Sequence, residues 1–266
     1  MFKIFLGAIP TPEPDPQVPT AQNPYPASRP TIPAVSTNIT KTGLAAIDTA
    51  VSGDVIAIPG ATSDSFTISG KNFDDWTVIW ANDGALVAAG SGNLQPVDNG
   101  LGNAGIYIEN SSKIILRGFE VTGPTVTYGI RVYNCTDVIL YQCHAHDNKN
   151  EGIYFVDCQN SGDVDCLVHD TGQSGIRHDI RQDIPLDGWF SIRPEIYNTG
   201  KTSPNFGEGL YFGNGTNPTY GPVTGVYVED PYIHDTEAEC IDLKSNVEEA
   251  ILLRPRCEDG NIPYNG

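Results

Sequence analysis

The chain has 266 residues, 39% hydrophobic and 18% charged, a balance that belongs to folded rather than disordered sequences. Its formal net charge is −18. That excludes nucleic acid as a partner, because phosphate binding needs a basic surface, and no stretch approaches the roughly 18 apolar residues of a membrane span.

The opening MFKIFLGAIP has an apolar run shorter than the roughly 7 to 15 residues of a secretory leader, so no leader is expected. Residues 10–33, PTPEPDPQVPTAQNPYPASRPTIP, carry nine prolines. Proline fixes φ and lacks an amide donor, which bars helix and central strand. Residues 1–35 therefore read as an extended arm. The arm has too few apolar side chains to repay its ordering within its own domain, so it is expected to lie along a neighbouring subunit. In TGLAAIDTAVSGDVIAIPG, residues 42–60, Leu44, Ile47 and Val51 have helical spacing. SGD then turns the chain into the strand VIAIPG, and DDWTVIWAND at 74–83 is another strand. Residues 36–100 are taken as a cap and first coils, protecting an edge from mispairing.

From residue 104 the sequence repeats, and a repeat outranks other signals. The units begin at AGIYIEN, YGIRVYN, EGIYFVD, SGIRHDI, EGLYFGN and AECIDLK. Their anchors are Gly105, Gly129, Gly152, Gly175, Gly209 and Cys240, spaced 24, 23, 23, 34 and 31 residues apart. Each unit alternates β-branched or aromatic residues with polar ones between turn residues. The expected fold is all-β: a single-stranded right-handed parallel β-helix over 101–266, with coils stacked about 4.8 Å apart. One ladder then runs through Asp147, Asp170, Asn198 and Asp235, preceded by His146, His169, Tyr197 and His234. Asx residues in turns bond neighbouring backbone, so this ladder reads as structural. The cysteine offsets, 135 to 158 and 143 to 166, are both 23. That is a repeat spacing, so the six cysteines are expected to be unpaired thiols packed on adjacent coils.

DTEAECIDLKSN, residues 235–246, is the constellation most suited to chemistry. Glu239 precedes the anchor Cys240 as Glu208 precedes Gly209, and Glu151 and Ser174 stand at the same position of earlier coils. Glu237 is two residues from Glu239, which in a strand is the same side. Glu208, Glu237 and Glu239 are thus expected to converge, at a cost unless a cation such as Ca²⁺ bridges them. Lys244, just beyond, could act as a base if its pKa were lowered. The alternative is a turn ion network in a non-catalytic scaffold.

Here the sequence resembles polysaccharide lyase family six, which includes chondroitinase B and alginate lyases. DTEAECIDLKS is similar to that family's Glu-x-Glu…Lys-Ser motif, and the helix followed by GDVIAIPG is similar to its N-terminal cap. The resemblance covers residues 42–60 and 205–246. It implies Ca²⁺ held by Glu237 and Glu239, Lys244 as the base of a β-elimination on a uronate, and an assisting arginine on the next coil. Arg254 and Arg256 are the nearest candidates for that arginine, although they lie on another side of the coil. A basic stretch, GIRHDIRQD at 175–183, offers Arg177, His178 and Arg181, with Tyr211 nearby, to contact a sugar acid or to pair with its own carboxylates.

Three readings of function follow. The first is a polysaccharide-recognising β-helix mounted through its arm on a larger assembly, such as a phage tailspike or tail appendage, with lyase-type depolymerase activity as an option. It would bind an acidic or neutral polysaccharide, as a homo-oligomer (a trimer among the options) or against other virion subunits, and sit on a particle surface. The second is a secreted, Ca²⁺-dependent polysaccharide lyase. The third is a structural scaffold without a ligand.

Overall fold

The computed structural model describes residues 3–6, 29–60, 65–81, 86–88, 95–97, 102–217 and 219–258. Three parallel sheets form the sides of a coil. The coil at 128–146 sets the pattern. Tyr128–Tyr133 lies in sheet 1, Thr136–Tyr141 in sheet 2 and His144–His146 in sheet 3, before Ile153–Val156 re-enters sheet 1. The expected anchor column is present. Amides of Ile130, Ile153, Ile176 and Leu210 donate to the carbonyls of Gly152, Gly175, Gly209 and Cys240.

Period-two alternation decides what goes inside. On sheet 1, Ile106, Ile130, Ile153, Ile176, Leu210 and Ile241 stack in register toward the core. Burying such a ladder stabilises by roughly 1.5 to 3 kcal/mol for each large aliphatic side chain. The corners are closed by short polar residues at left-handed φ, including Asn134, Asp157 and Asp165. Asp147, Asp170, Asn198 and Asp235 all have φ between 50° and 56°, as the Asx ladder requires. Beside them, His146, His169, Tyr197 and His234 pair in register with stacked rings.

All six cysteines are free, with only Cys257 exposed. The thiols of Cys135 and Cys158 touch, as do those of Cys143 and Cys166, and burial pushes Cys158 and Cys166 up. Thiol titration of the denatured, unreduced chain should therefore count six. A count of zero would mean that the 23-residue offset marks disulfides instead.

The N-terminal region departs from expectation in two places. The helix is one turn, Ala45–Asp48, with Ile47 buried and Leu44 packed on the core. Val51 is 60% exposed, because the helix has ended before its face can carry that far. The arm, meanwhile, lies on its own chain wherever it is described. Lys3–Leu6 pairs in parallel with Glu249–Leu253, extending sheet 2 at the last coil. Arg29 bonds Glu229 at 2.7 Å, while Ile32 and Val35 pack on the outer apolar cluster of sheet 2. Proline density bars strands only where the prolines are, and the outer apolar face of sheet 2 receives Ile32 and Val35. Residues 7–28, most of the arm, lie outside the described residues.

Candidate functional site

The outward face of sheet 1 carries an alternating row. Tyr107, Arg131, Tyr154, Arg177, Tyr211 and Asp242 are in register across six coils. Guanidinium and ring alternate at stacking distance. Arg131 lies 4.9 Å from the Tyr154 ring centre, and Arg177 lies 5.2 Å from Tyr154 and 4.4 Å from Tyr211. Such contacts are worth more when shielded from water. Here Tyr107, Arg131 and Tyr154 are all buried, and burial lowers the Arg131 pKa to about 10. The Tyr107 and Tyr154 rings are therefore not available for stacking on a sugar at the surface, and Trp189 is wholly buried in the core.

Buried acids balance this row. Asp179 accepts hydrogen bonds from Tyr154 Oη at 2.6 Å, Arg177 at 3.1 Å and Asn214 at 2.8 Å. Glu151 meets Arg177 at 3.2 Å, yet burial raises its pKa. Arg181 spans Asp179 and the Tyr154 hydroxyl. Arg177 and Arg181 remain partly open to solvent, while Tyr211 is buried and accepts from the Gly215 amide.

His178 is different. It alternates with Arg177 and so faces the core, stacked between Phe155 and Phe212 with neither ring nitrogen hydrogen-bonded. Burial lowers its pKa to about 3. It therefore cannot contact a ligand: Ile176 and His178 share the inward side of one strand.

At the C-terminal end of this row, Glu208, Glu239 and Asp242 each bring a carboxylate oxygen within 4.8 Å of the other two. Ser174 donates to Glu208 at 2.7 Å. Burial raises the Glu208 pKa, the Asp242 charge adds to that, and Ser174 and Lys244 oppose it. Lys244 is ion-paired with Asp242 and sits 4.8 Å from the Tyr211 ring centre. Burial pulls the Lys244 pKa down, but Asp242, Tyr211 and Glu208 together raise it overall. The expected lowering is thus reversed in this arrangement.

Glu237 does not join the cluster. It is exposed and backs onto Gly200 and Gly207. The strand ends at Thr236 and the next begins at Ile241, so the same-side rule does not reach across 237–239. Asp242 fills the third position instead. Its sequence signal is its place two residues after the anchor, in column with Arg177 and Tyr211. Arg254 pairs with Asp230 and Glu229, and Arg256 with Glu258 over the Tyr232 ring. Both lie toward sheets 2 and 3, away from Lys244.

Sheet 2 has a cavity of about 280 Å³ under Pro30 and Thr31, lined by Trp76, Phe190, Tyr227 and Asp137. It lies on a different face from the Lys244 cluster.

A family model described as the right handed beta helix region matches residues 57–184. The chain is a right-handed parallel β-helix. Among solved structures it is similar to an alginate lyase from Paenibacillus sp. str. FPU-7, at 18% identity over 82% of this chain and 76% of that one, TM-score 0.47. It is also similar to a pectin methylesterase from Aspergillus niger, at 8% identity over 90% and 89%, TM-score 0.43. A third likeness is to the pectate lyase Pel9A, at 13% identity over 83% and 72%, TM-score 0.41. At these identities the likeness is one of fold alone. No curated protein matches the sequence.

Proposed function

We propose that this β-helix binds an acidic polysaccharide at the C-terminal coils of sheet 1 and cleaves it by cation-assisted β-elimination. One observation carries the reading: Glu208, Glu239 and Asp242 gather beside Lys244, with Arg177 and Arg181 on the coil before. Three oxygen donors around a partly buried point suit a hard cation such as Ca²⁺. Three carboxylates balanced by a single ammonium also leave negative charge for such an ion to offset. When bound, the ion would neutralise a uronate carboxylate and so acidify the adjacent C–H.

The protein groups then divide the work. Arg177 and Arg181 draw in and orient the anionic polymer. With a cation bound, Asp242 would serve as one of its oxygen donors and would no longer stabilise the Lys244 ammonium, whose proton would pass to water. Lys244 Nζ takes the proton alpha to the carboxylate, the C–H electron pair forms the C=C bond, and the glycosidic oxygen leaves. That oxygen takes its proton from water in this scheme, since neither Arg254 nor Arg256 faces the site.

Mounting on a virion or other particle would have to act through residues 7–28, because the described flanks of the arm are occupied on this chain.

The test is a panel of uronic-acid polymers with and without Ca²⁺, read by the ultraviolet absorbance of unsaturated products. Lys244→Ala should cost at least about 100-fold in rate, the usual share of a general base, and Glu239→Gln should remove the Ca²⁺ dependence. Binding without unsaturated product would leave recognition and remove the elimination chemistry. Neither binding nor product would remove both.

A further inference from the structure

Sheet 3 carries a second cluster, of a different chemical kind. Glu120, His144 and His146 face outward and bring one ligand atom each within 4.8 Å of one another. His169 joins them from the next coil, its Nε2 lying 2.8 Å from Nε2 of His144. The rings of His144 and His146 are 4.5 Å apart, and those of His146 and His169 are 5.0 Å apart. Three imidazoles and a carboxylate thus occupy one half-buried patch.

The Nδ1 atoms of two of these rings are held by carboxylates. Asp147 lies 2.8 Å from His146 Nδ1, and Asp170 lies 2.7 Å from His169 Nδ1. His146 and His169 thus each turn Nδ1 to an aspartate, and His146 turns Nε2 to the Glu120 carboxylate at 3.1 Å. Carboxylates behind ligating histidines are also the usual outer shell of histidine metal sites.

We propose that Glu120, His144, His146 and His169 form a binding site for a divalent transition-metal ion of the zinc class. Imidazole with one carboxylate favours Zn²⁺, Cu²⁺ or Ni²⁺ and disfavours Ca²⁺ and Mg²⁺, which take oxygen ligands. The site is independent of the Lys244 cluster, which lies on sheet 1.

The experiment uses the full chain without a histidine tag, stripped with chelator, and titrated with Zn²⁺ by calorimetry and with Co²⁺ by visible absorbance. One ion per chain is expected, with tetrahedral Co²⁺ bands. His146→Ala and Glu120→Gln should abolish the bands and weaken Zn²⁺ binding by more than the about 10- to 100-fold typical of an outer-shell loss. Glu120→Gln is conservative and half-exposed, so it keeps the test open if His146→Ala misfolds. His234→Ala, from the same stacked column but outside the cluster, should bind normally. A folded wild-type protein without Co²⁺ bands, or binding that survives both cluster variants, would overturn the proposal.

Discussion

Asp163→Asn is expected to stabilise the protein and to flatten its stability between about pH 4 and pH 8. Asp163 stands in register with Leu140, Ser191 and, one coil further on, Val228, on the core side of sheet 2. It is fully buried, and neither carboxylate oxygen reaches a hydrogen-bond partner in good geometry. Burial pushes its pKa up to about 8; Asp165 adds to this and Ser191 only partly offsets it. The native state therefore keeps its proton while the unfolded chain, near 3.8, has lost it. Native protein binds more protons across that window, so stability is full below the unfolded pKa and falls as pH rises through about 8. The lost stability at pH 7 is on the order of 4 kcal/mol as an upper estimate. An amide of the same shape cannot ionise, so the decline should vanish. Urea midpoints at about pH 5 and pH 8 decide it. If wild type and Asp163→Asn lose stability in parallel between them, the carboxyl is not held neutral in the fold.

The repeat made the fold legible because a parallel coil imposes one register on every chemical type it stacks. The anchor column, the Asx corners, the ring stack of His146, His169, Tyr197 and His234, and the cysteine pairs were all readable as offsets. What failed was the extension of strand rules beyond strands. Glu237 was placed beside Glu239 by alternation, but a bend intervenes and turns it toward Gly200. His178 was grouped with its basic neighbours by composition, though alternation within Ile176–Asp179 sends it inward. Asp242 was overlooked for the converse reason: a lone aspartate in IDLKS looks unremarkable until its column with Arg177 and Tyr211 is drawn. That the last coil leaves a sheet edge open for Lys3–Leu6 is likewise a property of the stack, which the arm's own sequence does not encode. Ion pairs such as Lys244 with Asp242 depend on side-chain reach between neighbouring columns, which no periodicity encodes.

Gly162→Ala is expected to be among the most damaging single methyl additions in the described residues. Gly162 begins the short strand Gly162–Val164 and pairs with Phe190 on the next coil. A Cβ there would lie 1.9 Å from the Phe190 carbonyl oxygen and 2.7 Å from its carbonyl carbon and ring. The carbonyl oxygen and carbon are backbone atoms of the adjacent coil, so no rotamer change relieves the clash. The coils would have to move apart, breaking ladder hydrogen bonds on both sides, or the strand would have to slip. Overpacking in cores that can adjust costs about 1 to 3 kcal/mol; with a carbonyl as the obstacle the loss should exceed that range. Gly53→Ala provides the comparison. Gly53 has φ +83° and nothing within 4 Å of the added methyl, so it should lose only the roughly 1 to 2 kcal/mol of left-handed strain. Urea unfolding of both variants separates the two costs. Equal midpoints would show that the coil spacing at Phe190 yields, and that contact across the stack is not what requires glycine at 162.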